Sequence, residues 1–178
     1  MKKVVGIVGT IGSGKGTIAN FLKRYGYGWI NMGNLVRAEA KKRKIKITRK
    51  NLHNLQLRLR KNNPYYFIDK VVEKIKKSKK EKWVVDGLRN PEDAKRLKEV
   101  FRALIIFVDA PIEIRWKRIR KRGRGKERKI SLEDFIKIEK EENRIFRFDI
   151  TKRYADVKII NDSTKEELYR KVKNIIKF

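Results

Sequence analysis

The feature that most constrains this chain is a short run near its start, Gly9-Thr10-Ile11-Gly12-Ser13-Gly14-Lys15-Gly16-Thr17. Its spacing is that of a phosphate-binding loop: a glycine, four residues, then Gly-Lys. The glycines let backbone N–H groups turn inward around phosphate oxygens. A helix that follows such a loop aims its positive end at the same place. Lys15 supplies the mobile charge that meets the β- and γ-phosphates. The flanks agree with this reading. Lys3 to Val8 is a short β-branched apolar run, as a buried parallel strand requires, and Thr17 to Arg24 is an amphipathic segment stopped by Gly26. The candidate nucleotide contacts are therefore Gly9, Gly12, Ser13, Gly14, Lys15 and Gly16, with Thr17 a candidate for phosphate or metal-water contact. A glycine turn beside a chance lysine would not need that strand and that helix around it.

The rest of the chain continues the alternation. Trp29 to Met32 reads as a second short strand, and Leu35 to Lys44, Thr48 to Arg60 and the segment opened by Pro64 read as helices. Lys82 to Asp86 is a strand that ends in a carboxylate. Ala103 to Val108 is the most apolar strand and runs into Asp109-Ala110-Pro111. Helices are expected after Pro91, over Ile112 to Arg122 and from the Ser131 capping box toward Phe148, with a charged loop at Gly123 to Lys129. Val157 to Ile160 is the last strand, and Ser163 or Thr164 caps the terminal helix. Strands alternating with helices predict a parallel sheet with right-handed crossovers, in one domain with no linker.

Composition narrows the chemistry. The 178 residues include no cysteine and a single histidine, His53. Disulfides, thiolate metal sites, Cys nucleophiles, a Ser-His triad and multi-His metal centres are excluded, and His53 has no assigned role. No stretch approaches the roughly 20 apolar residues of a membrane span, so the expected location is the cytoplasm. Lysine plus arginine number 50 against 21 acidic residues, a formal net charge of +29. Such a surplus attracts polyanions.

Beyond the loop, the sequence resembles the nucleoside monophosphate kinases. The ending Gly14-Lys15-Gly16-Thr17 is similar to theirs, and Met32-Gly33-Asn34-Leu35-Val36-Arg37 resembles the acceptor segment of adenylate kinases. Val84-Val85-Asp86-Gly87-Leu88-Arg89 is similar to that family's strand-end Asp-Gly-Phe-Pro-Arg, without the Pro. Phe107-Val108-Asp109-Ala110-Pro111 with Arg118-Ile119-Arg120-Lys121-Arg122 resembles the strand and helix leading to the mobile lid. The tail from Ala155 to Ser163 is similar to that of dephospho-coenzyme A kinases. The resemblance implies a three-layer α/β/α P-loop kinase fold with a five-stranded parallel sheet, a helical acceptor-binding segment over about 33–80 and a basic lid over about 118–145. It implies ATP and Mg2+, with Arg37 and Arg89 on the acceptor and Arg118 and Arg122 on the transferring phosphate. Asp86, at a strand end, suits holding magnesium through water or orienting the acceptor, and otherwise caps a turn. Asp109 is read equally as a site carboxylate or a helix cap. Asn34 replaces the usual acidic residue, and no glutamine follows Arg89 within Asn90 to Asp93, which weighs against AMP as acceptor.

The expected activity is transfer of the ATP γ-phosphate to a small nucleotide-like acceptor, a nucleoside monophosphate or a dephospho-coenzyme A-like molecule. The rival is an RNA- or ribosome-associated ATPase or RNA kinase. From Arg115 to Lys129 ten residues are basic and one is acidic, with further runs at Lys41 to Lys44 and Lys76 to Lys80. These runs fit RNA contact or a lysine-rich, thermophilic composition. Tyr65, Tyr66 and Phe67 fit base stacking or, more simply, a helix-face core. A non-catalytic nucleotide-binding module is the third possibility.

Overall fold

The computed structural model describes residues 2–123 and 125–177. Its centre is a five-stranded sheet in the order β2-β3-β1-β4-β5. The strands are β1 (Lys3–Gly9), β2 (Gly28–Asn31), β3 (Lys82–Leu88), β4 (Leu104–Asp109) and β5 (Val157–Ile160). All four pairings are parallel. The helices are α1 (Lys15–Arg24), α2 (Met32–Lys42), α3 (Arg49–Asn62), α4 (Tyr66–Lys77), α5 (Pro91–Phe101), α6 (Ile112–Arg122), α7 (Leu132–Phe146), α8 (Phe148–Thr151) and α9 (Lys165–Ile176).

The two-residue period of β1 divides the core. Val4 and Val8 face one way and pack with Phe67, Ile68, Val71 and Leu97 from α4 and α5. Val5 and Ile7 face the other way and pack with Ile18, Leu22, Leu168 and Val172 from α1 and α9. Two helical layers thus cover a sheet buried on both faces, the three-layer α/β/α arrangement expected of near-continuous apolar strands.

Several boundaries differ from the sequence reading: β3 runs two residues past Asp86 to Leu88, and α7 stops at Phe146. Met32 begins α2 instead of ending β2, because the Asn31 side chain caps the helix by accepting from the Asn34 N–H at 2.9 Å. Lys15 and Gly16 already lie in α1, so the loop hands over to the helix two residues sooner. Pro64 sits in a turn before α4, which starts at Tyr66. The charged loop after α6 contains a 3-10 turn over Gly125–Lys129; position 124 of the expected lid lies outside the described residues. Among the described residues no helix is long and apolar enough to cross a membrane.

Candidate nucleotide and acceptor site

The carboxyl ends of β1 and β3 open into a cavity of about 850 Å3. That volume lies in the range of small-molecule pockets, roughly 300–1,000 Å3. The loop between β1 and α1 forms one wall. Gly12 and Gly14 take φ values of 79° and 103°, a left-handed backbone that side chains rarely adopt. Close packing adds a second reason for both glycines. A Cβ on Gly14 would lie 2.3 Å from the Asn161 Nδ2, and one on Gly12 would lie 2.7 Å from the Arg115 carbonyl oxygen. A Cβ on Gly16 would meet nothing within 4 Å. The first turn of α1 carries no acidic residue, so no carboxylate offsets its positive end.

Two residues brace the loop from outside it. Asn161, just after β5, donates from Nδ2 to the Ser13 carbonyl at 2.8 Å. Arg115 on α6 is buried, donates to the carbonyls of Ala110 at 2.7 Å and Ile11 at 3.4 Å, and pairs with Glu139 of α7 at 2.5 and 3.0 Å. Neither was singled out in the sequence, although Asn161 lies in the tail from Ala155 to Ser163, because each acts on a loop far away in the chain.

Lys15 lines the cavity, and its Nζ donates to the Thr10 carbonyl at 2.7 Å. Burial of the ammonium lowers its pKa to about 8; Asp86 opposes that fall and Arg89 adds to it. Asp86 is 3% exposed and pairs in register with Ile7 on β1 and Asn31 on β2. Its Oδ2 accepts from Asn31 Nδ2 at 2.9 Å, while its buried Oδ1 has no hydrogen-bond partner. Thr17 lines the same cavity. An orphaned carboxylate oxygen beside a phosphate loop fits magnesium, which keeps most of its waters and takes one or two carboxylates plus phosphate oxygens. Among the described residues no group of three or more His, Cys, Asp or Glu could hold a metal without such help.

The remaining expected residues occupy two regions. Arg37 lines the cavity and donates to Asn34 Oδ1 at 2.5 Å. Arg89 also lines it, lies over the Phe146 ring at 5.5 Å and donates to Glu142 Oε2 at 2.9 Å. On the α6 side, Arg118 donates to the Asn161 carbonyl at 3.0 Å, which ties it to the brace of the loop. Arg122 pairs through Nε with Glu127 at 3.0 Å. The cavity wall therefore includes Lys15, Thr17, Arg37, Asp86, Arg89, Arg118 and Arg122. Asp109 does not line it; its Oδ1 accepts from the Ala110 N–H at 2.9 Å. Phe67 is fully buried in the core, Tyr66 donates to Glu39, and Tyr65 lies against Arg96, so this trio packs rather than presenting a stacking platform.

Glu142 had no signal in the sequence. Burial raises its pKa, but the Arg89 charge, contact with His53 and the Arg49 charge outweigh burial and hold it at about 2. Arg49 reaches it at 2.5 Å and His53 at 3.7 Å.

Sheet order, phosphate loop and cavity together define a P-loop protein of the nucleoside monophosphate kinase-like superfamily. The chain matches the AAA domain family over residues 8–137. It is 30% identical to the UPF0200 protein of Pyrococcus horikoshii, covering 97% of this chain and 95% of that one. It is 32% identical to the UPF0200 protein of Sulfurisphaera tokodaii, covering 98% and 96%. The chain belongs to the UPF0200 family. In fold it is similar to shikimate kinase from Acinetobacter baumannii, with a TM-score of 0.65 at 15% identity over 99% of this chain and 93% of that one. It is also similar to a gluconokinase from Sinorhizobium meliloti, with a TM-score of 0.59 at 14% identity over 95% and 87%.

Proposed function

We propose that the chain is an ATP-dependent phosphotransferase acting on a nucleotide-like acceptor. One observation carries this reading: a single cavity joins the phosphate loop to a second cationic wall, with the orphaned Asp86 oxygen on the strand between them. The loop amides and the α1 terminus hold the polyphosphate. Lys15 offsets charge on its outer phosphates, and Arg118 and Arg122 add charge from the α6 side. Magnesium, held by Asp86 and Thr17 through water, would neutralise charge on the β- and γ-phosphates. Arg37 and Arg89 grip the acceptor, because a planar guanidinium pairs two oxygens and stays charged. A phosphate acceptor needs no base. A hydroxyl acceptor does, and for such an acceptor Asp86 would serve as the base instead of holding magnesium. Closure of α6, the 3-10 turn and α7 as a lid excludes water, which otherwise competes as acceptor.

Labelled ATP with magnesium, offered to nucleoside monophosphates, dephospho-coenzyme A and short RNAs, tests this directly. A labelled small product that disappears in Lys15→Ala supports the reading. Transfer unchanged in that variant refutes it.

The exposed basic face of α6 and the following turn supports a second reading, an RNA-directed enzyme. Lys117, Arg120, Lys121, Arg128 and Lys129 are all exposed there. Under that reading ATP turnover rises only with RNA, and RNA affinity falls steeply with salt.

A further inference from the structure

The corner between α2 and α3 concentrates positive charge. Seven of the ten residues from 41 to 50 are basic, none is acidic, and all seven are exposed. Arg43 pairs with Glu39 and Arg49 with Glu142. Among the described residues the other five, Lys41, Lys42, Lys44, Lys46 and Lys50, have no ion-pair partner. The nearest carboxylate along the chain, Glu39, is buried and already engaged by Arg43 and Lys70. On α4 and α5, by contrast, lysines are interleaved with acids one helical turn away, Lys77 with Glu73 and Lys95 with Glu99. A surface made basic by composition alone would keep that interleaving at the corner as well. The corner also borders the cavity, because Ile47, Thr48 and Arg49 line it.

We propose that the α2–α3 corner is a docking surface for a single-stranded polynucleotide, whose backbone it holds beside the mouth of the cavity. Clustered like charges repel one another, and a phosphate backbone relieves that repulsion. Lysine suits the task, because a point charge on a flexible stem meets phosphates without a fixed geometry. Each phosphate so neutralised releases counterions and adds salt-sensitive affinity. A membrane-binding face would add a row of apolar side chains for insertion. A protein partner would call for an apolar centre to the patch. The exposed apolar residue of this corner, Ile47, lines the cavity instead. A single strand can track the corner and leave its end free to turn into the cavity, whereas a duplex end would first have to unpair. Docking here requires neither the basic face of α6 nor phosphotransfer.

The test is fluorescence anisotropy of a labelled oligouridylate of about twelve nucleotides, titrated with the full chain over a range of salt. No ATP is present, so failure here leaves phosphotransfer untouched. A variant with Lys41→Gln, Lys42→Gln, Lys46→Gln and Lys50→Gln keeps side-chain length and removes the charges. At about 0.7 per phosphate for a single strand, the slope of log affinity against log salt should fall by about 3, and affinity at about 0.1 M salt should drop at least tenfold. A matched variant, Lys74→Gln, Lys76→Gln, Lys79→Gln and Lys80→Gln, removes the same charge from exposed positions just before β3, at the end of the sheet opposite the cavity. It should bind the probe within about threefold of the parent. Equal losses in the two variants make binding a matter of net charge and overturn the proposal. An unchanged slope in the corner variant overturns it too, as does a parent that does not bind. Phosphatidylglycerol vesicles that hold the chain more tightly than the oligouridylate, at equal phosphate concentration, overturn the polynucleotide assignment. A duplex of the same length should bind more weakly, and tighter binding overturns the single-strand assignment. If the fourfold variant does not fold, Lys46→Gln with Lys50→Gln leaves α2 unaltered and should lower the slope by about 1.4.

Discussion

Replacing Lys15 by Met keeps an unbranched apolar stem of similar length and removes the ammonium. In the folded chain burial lowers the pKa of this ammonium from 10.5 to about 8. The unfolded chain therefore binds the extra proton between those two values, and stability rises with pH across that window. Below about 8 the full penalty of holding a charged Lys15 is present, and above 10.5 it is gone. At about 1.36 kcal/mol per pH unit, the displacement corresponds to roughly 3 kcal/mol. Lys15 is half-buried at the wall of an open cavity, so water screens part of that penalty. The variant also loses the bond from Nζ to the Thr10 carbonyl at 2.7 Å, worth about 1 kcal/mol. The expected net effect is a variant about 1–2 kcal/mol more stable than the parent near neutrality, and unable to bind ATP. Urea unfolding of both proteins at about pH 7 and about pH 10 measures this, with the gap closing at the higher pH. A less stable variant at neutrality, or a gap independent of pH, would refute the argument that the loop stores unfavourable charge for a polyphosphate to relieve.

Two glycines of the loop should respond oppositely. Gly14→Ala, at φ 103° with Asn161 Nδ2 2.3 Å from the new Cβ, should cost about 2–3 kcal/mol and abolish nucleotide binding. Gly16→Ala, in open space inside α1, should raise stability by up to about 1 kcal/mol in thermal melts. Asn161→Ala removes the brace on Ser13 and should lower ATP affinity in calorimetry, with a stability loss of about 1–2 kcal/mol. Glu39, buried among Lys70, Arg43 and Tyr66, has its pKa lowered from 4.5 to about 2, chiefly by the Lys70 hydrogen bond. Its contribution to stability is present above about 4.5 and lost as pH falls toward 2. Glu39→Gln should therefore flatten the acid limb of the stability profile measured by circular dichroism.

The phosphate loop and the sheet were legible in the sequence because their causes are local. Glycine spacing sets the left-handed positions at Gly12 and Gly14, and β-branched runs set strands whose alternation already implies the layers. The place of Asp86 on its strand was legible for the same reason, although β3 continues past it to Leu88. What surrounds the loop was not. Asn161 and Arg115 reach it across long stretches of chain, and their sequence neighbourhoods look like any strand end or basic helix. Glu142 lies in a run of charges, Lys140-Glu141-Glu142-Asn143, where nothing separates a solvated residue from one held between two arginines. His53 had no visible partner until α3 and α7 met. Local backbone preferences act within a few residues and survive translation into sequence. The selection of one charge among many depends on which helices the buried core brings together, and only the tertiary structure decides that.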